Sequence, residues 1–230
     1  MKYKSLIITL LLLPYCALAQ MAQTLIHNLT ALIKQKDNYT QQKERKIKEA
    51  IDLLRVPNAS AEQRYAINQR LFDEFKTYIS DSAVYYVKEN IRIAEELQKT
   101  DLQNDSRLSL ASLYIISGNY LDVADLLRAI DKEQLQKPQL IQYYNCYLNL
   151  YNNYAFNNPD AKTYIAPSDA YRDLLLSLVD KNSTHYILLY AGVLTDASRY
   201  DEAEKLLLDR FALMHTDEHE KAVLGYVLGT

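Results

Sequence analysis

The chain has 230 residues, about half of them apolar, and 26 Lys and Arg face 29 Asp and Glu for a formal charge of −3. That balance excludes the global basicity with which proteins hold nucleic acid, and the length suffices for one sizeable domain. The four glycines, Gly118, Gly192, Gly225 and Gly229, are too scattered for a loop that cradles phosphate, and the five prolines leave long stretches rich in Leu, Ala, Lys, Glu and Gln, which predicts an all-helical protein.

Residues 1–19 have the pattern of an export signal: Lys2 and Lys4, an apolar run from Leu6 to Leu13, and the small residues of Ala17-Leu18-Ala19, which place cleavage before Gln20. The run is too short for a bilayer core of roughly 30 Å. Tyr15 stands before Cys16, where lipid attachment wants a small residue, so a plain cleaved signal is expected. Cleavage leaves Cys146, which can form no internal disulfide and, set among apolar and tyrosine residues, is expected to be a buried, inert thiol. The mature chain carries a formal charge of −5, because the signal holds two lysines and no acid.

A basic helix is predicted within the segment 20–56, spanning residues 22–55. Leu25, Leu29, Leu32 and Ile33 keep helical spacing, and Ile47, Ile51 and Leu54 resume it. Between them residues 34–48 hold six bases and two acids, a solvated helix surface or a strip for an acidic partner. Pro57 to Ser60 breaks the helix and opens a repeat region over 57–230. Ser60 and Gln63 form a capping box for a helix over 61–79 whose apolar stripe is Ile67, Leu71, Phe72, Phe75 and Tyr78.

Asp81 or Ser82 is expected to cap the next helix, which buries Ala83, Val87, Ile91 and Ala94 and closes a first hairpin over about 61–100. Lys99 to Asp105 reads as a polar turn, and a second hairpin follows over 105–133. The third, over 138–180, joins a tyrosine-rich helix at 138–155 to a helix at 168–179 through a loop that includes Pro159 and Pro167. The fourth spans 183–214, His215 to His219 is a turn, and a partial unit occupies 220–230. The apolar face of that last helix (Val223, Leu224, Val227) leads us to expect that a full-length form continues beyond Thr230.

Two of these units repeat one another 80 residues apart. LASLYIISGNYLDVADLLRAI surrounds Gly118, and LLYAGVLTDASRYDEAEKLLLDRF surrounds Ser198. In each, a helix with a small residue on one face (Ala111, Ala191) meets a tight turn at Gly118 or Ser198. An aromatic follows (Tyr120, Tyr200), then a second helix with a small residue near its start (Ala124, Ala203). Gly118 enters a left-handed helix end at little cost, whereas Ser198 does so less freely. Both units resemble tetratricopeptide repeats, over roughly 107–130 and 187–213. The resemblance implies a solenoid of helical hairpins that presents surfaces for binding and rarely performs chemistry.

Beyond the repeats, three segments are similar to the exported half of a Bacteroidetes family with a domain of unknown function: DNYTQQKERKIKEAIDLLR, the 65–97 run beginning YAINQRLFDEF, and SGNYLDVADLL. Such proteins resemble membrane-spanning regulators of the starch-utilisation type, in which periplasmic repeats precede a membrane span, a coiled coil and a cytoplasmic DNA-binding part. The resemblance implies a periplasmic sensing module, tethered to the membrane only through a part beyond this segment.

Tyrosine is abundant, with 20 residues and no tryptophan. Tyr143, Tyr147 and Tyr151 recur every fourth position beside Tyr144 and Tyr154, a ridge suited to helix packing or, with Tyr114, to gripping a ligand on a concave face. His215 and His219 flank two acids without a third fixed ligand, so no metal site is expected. Ser82, Ser168 and Ser183 read as caps, and Asp81-Ser82-Ala83 also resembles an O-glycosylation tripeptide of exported Bacteroidetes proteins. No triad, metalloprotease helix or paired acid site is evident, and no cofactor motif. The expected function is non-catalytic binding of a protein, peptide or glycan in the periplasm. The alternative is a structural or scaffold element that forms a homodimer through the basic helix.

Overall fold

The computed structural model describes residues 30, 33–34, 36–157, 162–214 and 218–229, and among these every regular element is a helix. The expected export signal and residues 215–217 lie outside the described residues; of the turn expected from His215 to His219, Glu218 and His219 instead begin a helix. The chain divides into two compact units, Met1–Ala59 and Ser60–Thr230. In the first, helix α1 covers 36–54, and Lys34, Lys36, Arg45, Lys46 and Lys48 of its basic stretch are exposed, as a solvated helix surface requires.

The second unit is a row of antiparallel helix pairs: α2 (Ala61–Phe75) with α3 (Ser80–Glu96), α4 (Thr100–Ser117) with α5 (Tyr120–Arg128), α6 (Lys137–Asn157) with α7 (Lys162–Leu178), and α8 (Thr184–Asp196) with α9 (Tyr200–Leu213). Helix α10 (Glu218–Gly229) packs on α9, and a single 3-10 turn, Lys132–Gln134, leads from α5 to α6. Neighbouring pairs meet through α3 on α4, α4 on α6 and α7 on α8. No pair buries its apolar side alone. Leu108, Ala111, Val123 and Leu127 of the second pair are covered by Cys146 and Leu150 of α6, and Ala191, Leu194, Ala203 and Leu207 of the fourth by Leu224 of α10. Each fully buried leucine in these clusters contributes on the order of 2–3 kcal/mol.

The two similar hairpins turn by the same device. Gly118 stands at φ 80, the Asn119 N–H donates to the Tyr114 carbonyl at 2.9 Å, and the Gly118 N–H donates to that of Ile115 at 3.2 Å. Ser198 stands at φ 59, with Arg199 N–H to Leu194 at 2.8 Å and Ser198 N–H to Thr195 at 2.9 Å. Both are Schellman endings that satisfy orphan carbonyls. Gln98, at φ 54, ends α3 in the same way. Counted from the turn, the buried position shared by the second helices is Val123 and Ala203, and Ala124 lies one residue further on, half-buried.

Several boundaries differ from expectation. Helix α2 stops at Phe75, not 79, because Ile79 is already extended before α3, so Tyr78 leaves the stripe and is exposed. Neither Asp81 nor Ser82 caps α3, which starts at Ser80 with both inside its first turn. The polar run after Lys99 is helix, not turn: its polar groups bond between helices, with Tyr65 of α2 paired to Ser106 at 3.0 Å and Gln139 of α6 donating to Asp105 at 2.7 Å. Pro167 lies one turn inside α7, where it forgoes a single ladder bond. Ser168 is therefore not a cap; it is buried and its hydroxyl donates to Asn152 of α6. The capping box at Ser60 and Gln63 is present, and Ser183 caps α8 by accepting from the Tyr186 N–H.

Candidate functional site

The first helices of three successive pairs turn one row of side chains each to a common groove. On α2 the row is Gln69 and Asp73, continued by Lys76 at its C-terminal cap; on α4 it is Ser109, Ser112 and Ile116; on α6 it is Gln142, Asn145, Asn149 and Asn153. Within each row the spacing is three or four, which keeps every member on one helix face. A cavity of about 450 Å³ lies across α2, α4 and α6, and another of about 570 Å³ between α4 and α6, and the two share Ser112 and Ile116.

The groove changes character along its width. At the α2 side Lys76 pairs with Asp73 at 2.7 Å and lies over the Phe72 ring, so its charge is already answered. Between α4 and α6 the lining carries no charged side chain: it offers the Ser112 hydroxyl, the carboxamides of Asn145, Asn149 and Asn153, and Ile116, which is 84% exposed. His185, from α8, holds the Asn145 carboxamide oxygen at 3.1 Å. Burial lowers the pKa of His185, so its ring is neutral and brings no charge to the floor.

Cys146 lies beneath this lining, 2% exposed, with its sulfur 3.5 Å from the Ser112 hydroxyl. Burial pushes its thiol up to about 11, which leaves almost no thiolate near neutrality and makes it part of the core, not a nucleophile. Among the described residues no group of three or more His, Cys, Asp and Glu is placed to hold a metal ion. Side chains at 215–219 lie outside the described residues.

The tyrosines singled out in the sequence fall elsewhere. Tyr143 is buried, and Tyr144, Tyr147 and Tyr151 form an aromatic stack with Tyr171 of α7, in which Tyr147 and Tyr171 lie 4.7 Å apart and nearly parallel. Burial raises the pKa of Tyr143 and carries that of Tyr171 to about 12. Tyr114 stands apart on α4, half-buried, with the Lys88 ammonium 5.8 Å from its ring, and lines a cavity of about 440 Å³ with Lys76 and Ile116. Tyr120 meets Tyr154 at 5.1 Å, whereas Tyr200, its counterpart, is 62% exposed beside a cleft formed by α8, α9 and α10.

The amide row escaped the sequence reading, although its signal was there. Asn145, Asn149 and Asn153 share the four-residue period of the tyrosines, offset around the same helix, so the aromatic ridge masked a second ridge.

Stacked antiparallel pairs that close one another's cores, with a groove along their first helices, define a tetratricopeptide-repeat protein. The sequence profile of the family described as SusR N-terminal TPR domain matches residues 33–230, and the chain belongs to that family. No curated protein and no solved structure matches the chain. The protein is thus a protein-interaction or sensing module of the SusR regulator type.

Proposed function

We propose that this chain is the ligand-recognising, non-catalytic part of a periplasmic sensor, and that recognition takes place in the groove across α2, α4 and α6. The observation that carries the proposal is the pairing of three aligned rows with solvent. These first-helix faces turn hydroxyls and carboxamides outward along two adjoining cavities, while the opposite faces close the core. Carboxamides at a surface cleft suit hydrogen bonding to a ligand of alternating donors and acceptors. The signal-like residues 1–19 support export, and the raised thiol pKa of Cys146 argues against this cysteine as a nucleophile at the groove.

A photo-cross-linking residue in place of Ile116, carried in living cells, tests this. Adducts are expected there and not when the same residue replaces Tyr85, which is exposed on α3. Adducts at Tyr85 with none at Ile116 would move recognition to another face.

A further inference from the structure

We propose that the cleft between α8, α9 and α10 is a second binding site, for a small organic amine that seats its ammonium on Glu204 and Tyr200 and its apolar body within the fourth pair. The cleft holds about 770 Å³ and shares no residue with the groove across α2, α4 and α6. Its apolar walls are Leu188 and Ala191 of α8, Ala203 and Leu207 of α9, and Val227 and Leu228 of α10.

The second pair shows why the cleft is open. Its turn stands 80 residues earlier, so Ser112, Val123 and Ala124 hold the positions of Gly192, Ala203 and Glu204. There Val123 is fully buried, in one cluster with Cys146 and Leu150 of α6. In the fourth pair the first two positions have lost side-chain volume, and the third has gained a carboxylate. Close packing leaves few gaps of its own, so volume taken from the wall stays as space beside α10. The same offset matches Tyr120 to Tyr200. Tyr120 lies against Tyr154, whereas Tyr200 is exposed and, among the described residues, has no ring packed on it.

The polar groups set the class of ligand. Glu204 is the one charged side chain in the lining, and among the described residues it has no ion-pair partner. Arg172 of α7 runs near Gly192, but its guanidinium is held by Asp169 and Asp196. Tyr200 and Glu204 are four residues apart on α9, so ring and carboxylate share a helix face. A carboxylate beside an open aromatic face attracts a cation through both. The Thr195 hydroxyl donates to the Ala191 carbonyl at 2.9 Å, which leaves its lone pairs for a donor in the cleft. An unanswered carboxylate over apolar walls thus favours an ammonium and repels an anion. The space is roughly a cube 9 Å on a side, within the range of small-molecule sites and narrower than the about 10–12 Å of a helix.

The test is titration of the purified protein with n-octylammonium, n-octanol and octanoate, followed through the NMR methyl signals of Ala191, Ala203 and Leu207. The ammonium is expected to move those signals and to bind about tenfold more tightly than the alcohol, with octanoate weaker still. Glu204→Gln and Tyr200→Ala are each expected to raise its Kd about three- to fivefold. Both residues are exposed, so thermal midpoints should stay within a few degrees of the parent. Equal affinity for ammonium and alcohol overturns the proposal, and so does a Kd for the ammonium that ignores both substitutions. Silence of the three methyl groups toward the ammonium overturns it too. If those signals then shift with protein concentration, a second copy of the chain covers the cleft instead.

Discussion

Ser198 and Gly118 occupy the same backbone position in two copies of one turn, at φ 59 and φ 80, and only one of them is a residue suited to it. Left-handed backbone costs a side-chain-bearing residue roughly 1–2 kcal/mol and costs glycine almost nothing. The substitutions Ser198→Gly and Gly118→Ala should therefore act with opposite signs. In urea denaturation the first is expected to add about 0.5–1 kcal/mol and the second to remove about 1 kcal/mol. Nothing lies within 4 Å of a Cβ built on Gly118, so its loss would come from the backbone alone.

The buried thiol and phenols give a second prediction at the residue scale. Burial raises the pKa of Tyr143, that of Cys146 to about 11 and that of Tyr171 to about 12, so the fold prefers their protonated forms. Their contribution is complete below the ordinary values of 9.0 for the thiol and 10.0 for the phenols, and is lost as pH rises from there toward the folded values. Thermal midpoints should fall steadily between pH 9 and pH 11, by less in Tyr171→Phe than in the parent. The turn residues were legible because glycine and the residues around it keep fixed offsets. The paired buried position was not, since Val123 has no small side chain to announce it.

Among the elements, α4 shows how polar side chains tie one pair to the next. Tyr65 of α2 pairs with the Ser106 hydroxyl and donates to the Leu102 carbonyl, and Gln139 of α6 reaches Asp105 and the Asp101 carbonyl. The fourth pair repeats the device with other residues: Thr184 of α8 accepts from Arg210 of α9 and donates to Glu220 of α10. Removing one hydroxyl by Tyr65→Phe is expected to cost about 1 kcal/mol, while Leu127→Ala, which empties a fully buried site, is expected to cost about 2–5 kcal/mol. Denaturant midpoints of the two variants check both the order and the gap. These ties explain why the start of α4 was illegible. Thr100 to Asp105 looks like a solvated turn in sequence, and only the neighbouring helices reveal that its polar groups are spoken for. The capping box at Ser60 was legible because both of its partners lie within four residues.

At the scale of the whole molecule, the repeat domain makes its groove by addition. Each pair leaves its apolar side for the next to cover, so α4 packs on α6 and the remaining faces of the first helices α2, α4 and α6 line one surface. Hairpin periodicity made the solenoid legible from the two turns. The groove was harder to read, because its rows belong to three helices far apart in sequence and the tyrosines of α6 were the louder pattern. Tyr147 and Tyr151 stack on Tyr171, and their ridge ties α6 to α7.

The central claim is that recognition occupies the α4–α6 side of that groove. Asn149 is exposed within it, so Asn149→Arg fills the cleft without disturbing the core. The decisive measurement is the yield of adducts from a photo-cross-linker at Ile116 in cells carrying this substitution. Yield should fall at least tenfold with the thermal midpoint held within a few degrees of the parent; an undiminished yield would contradict the claim.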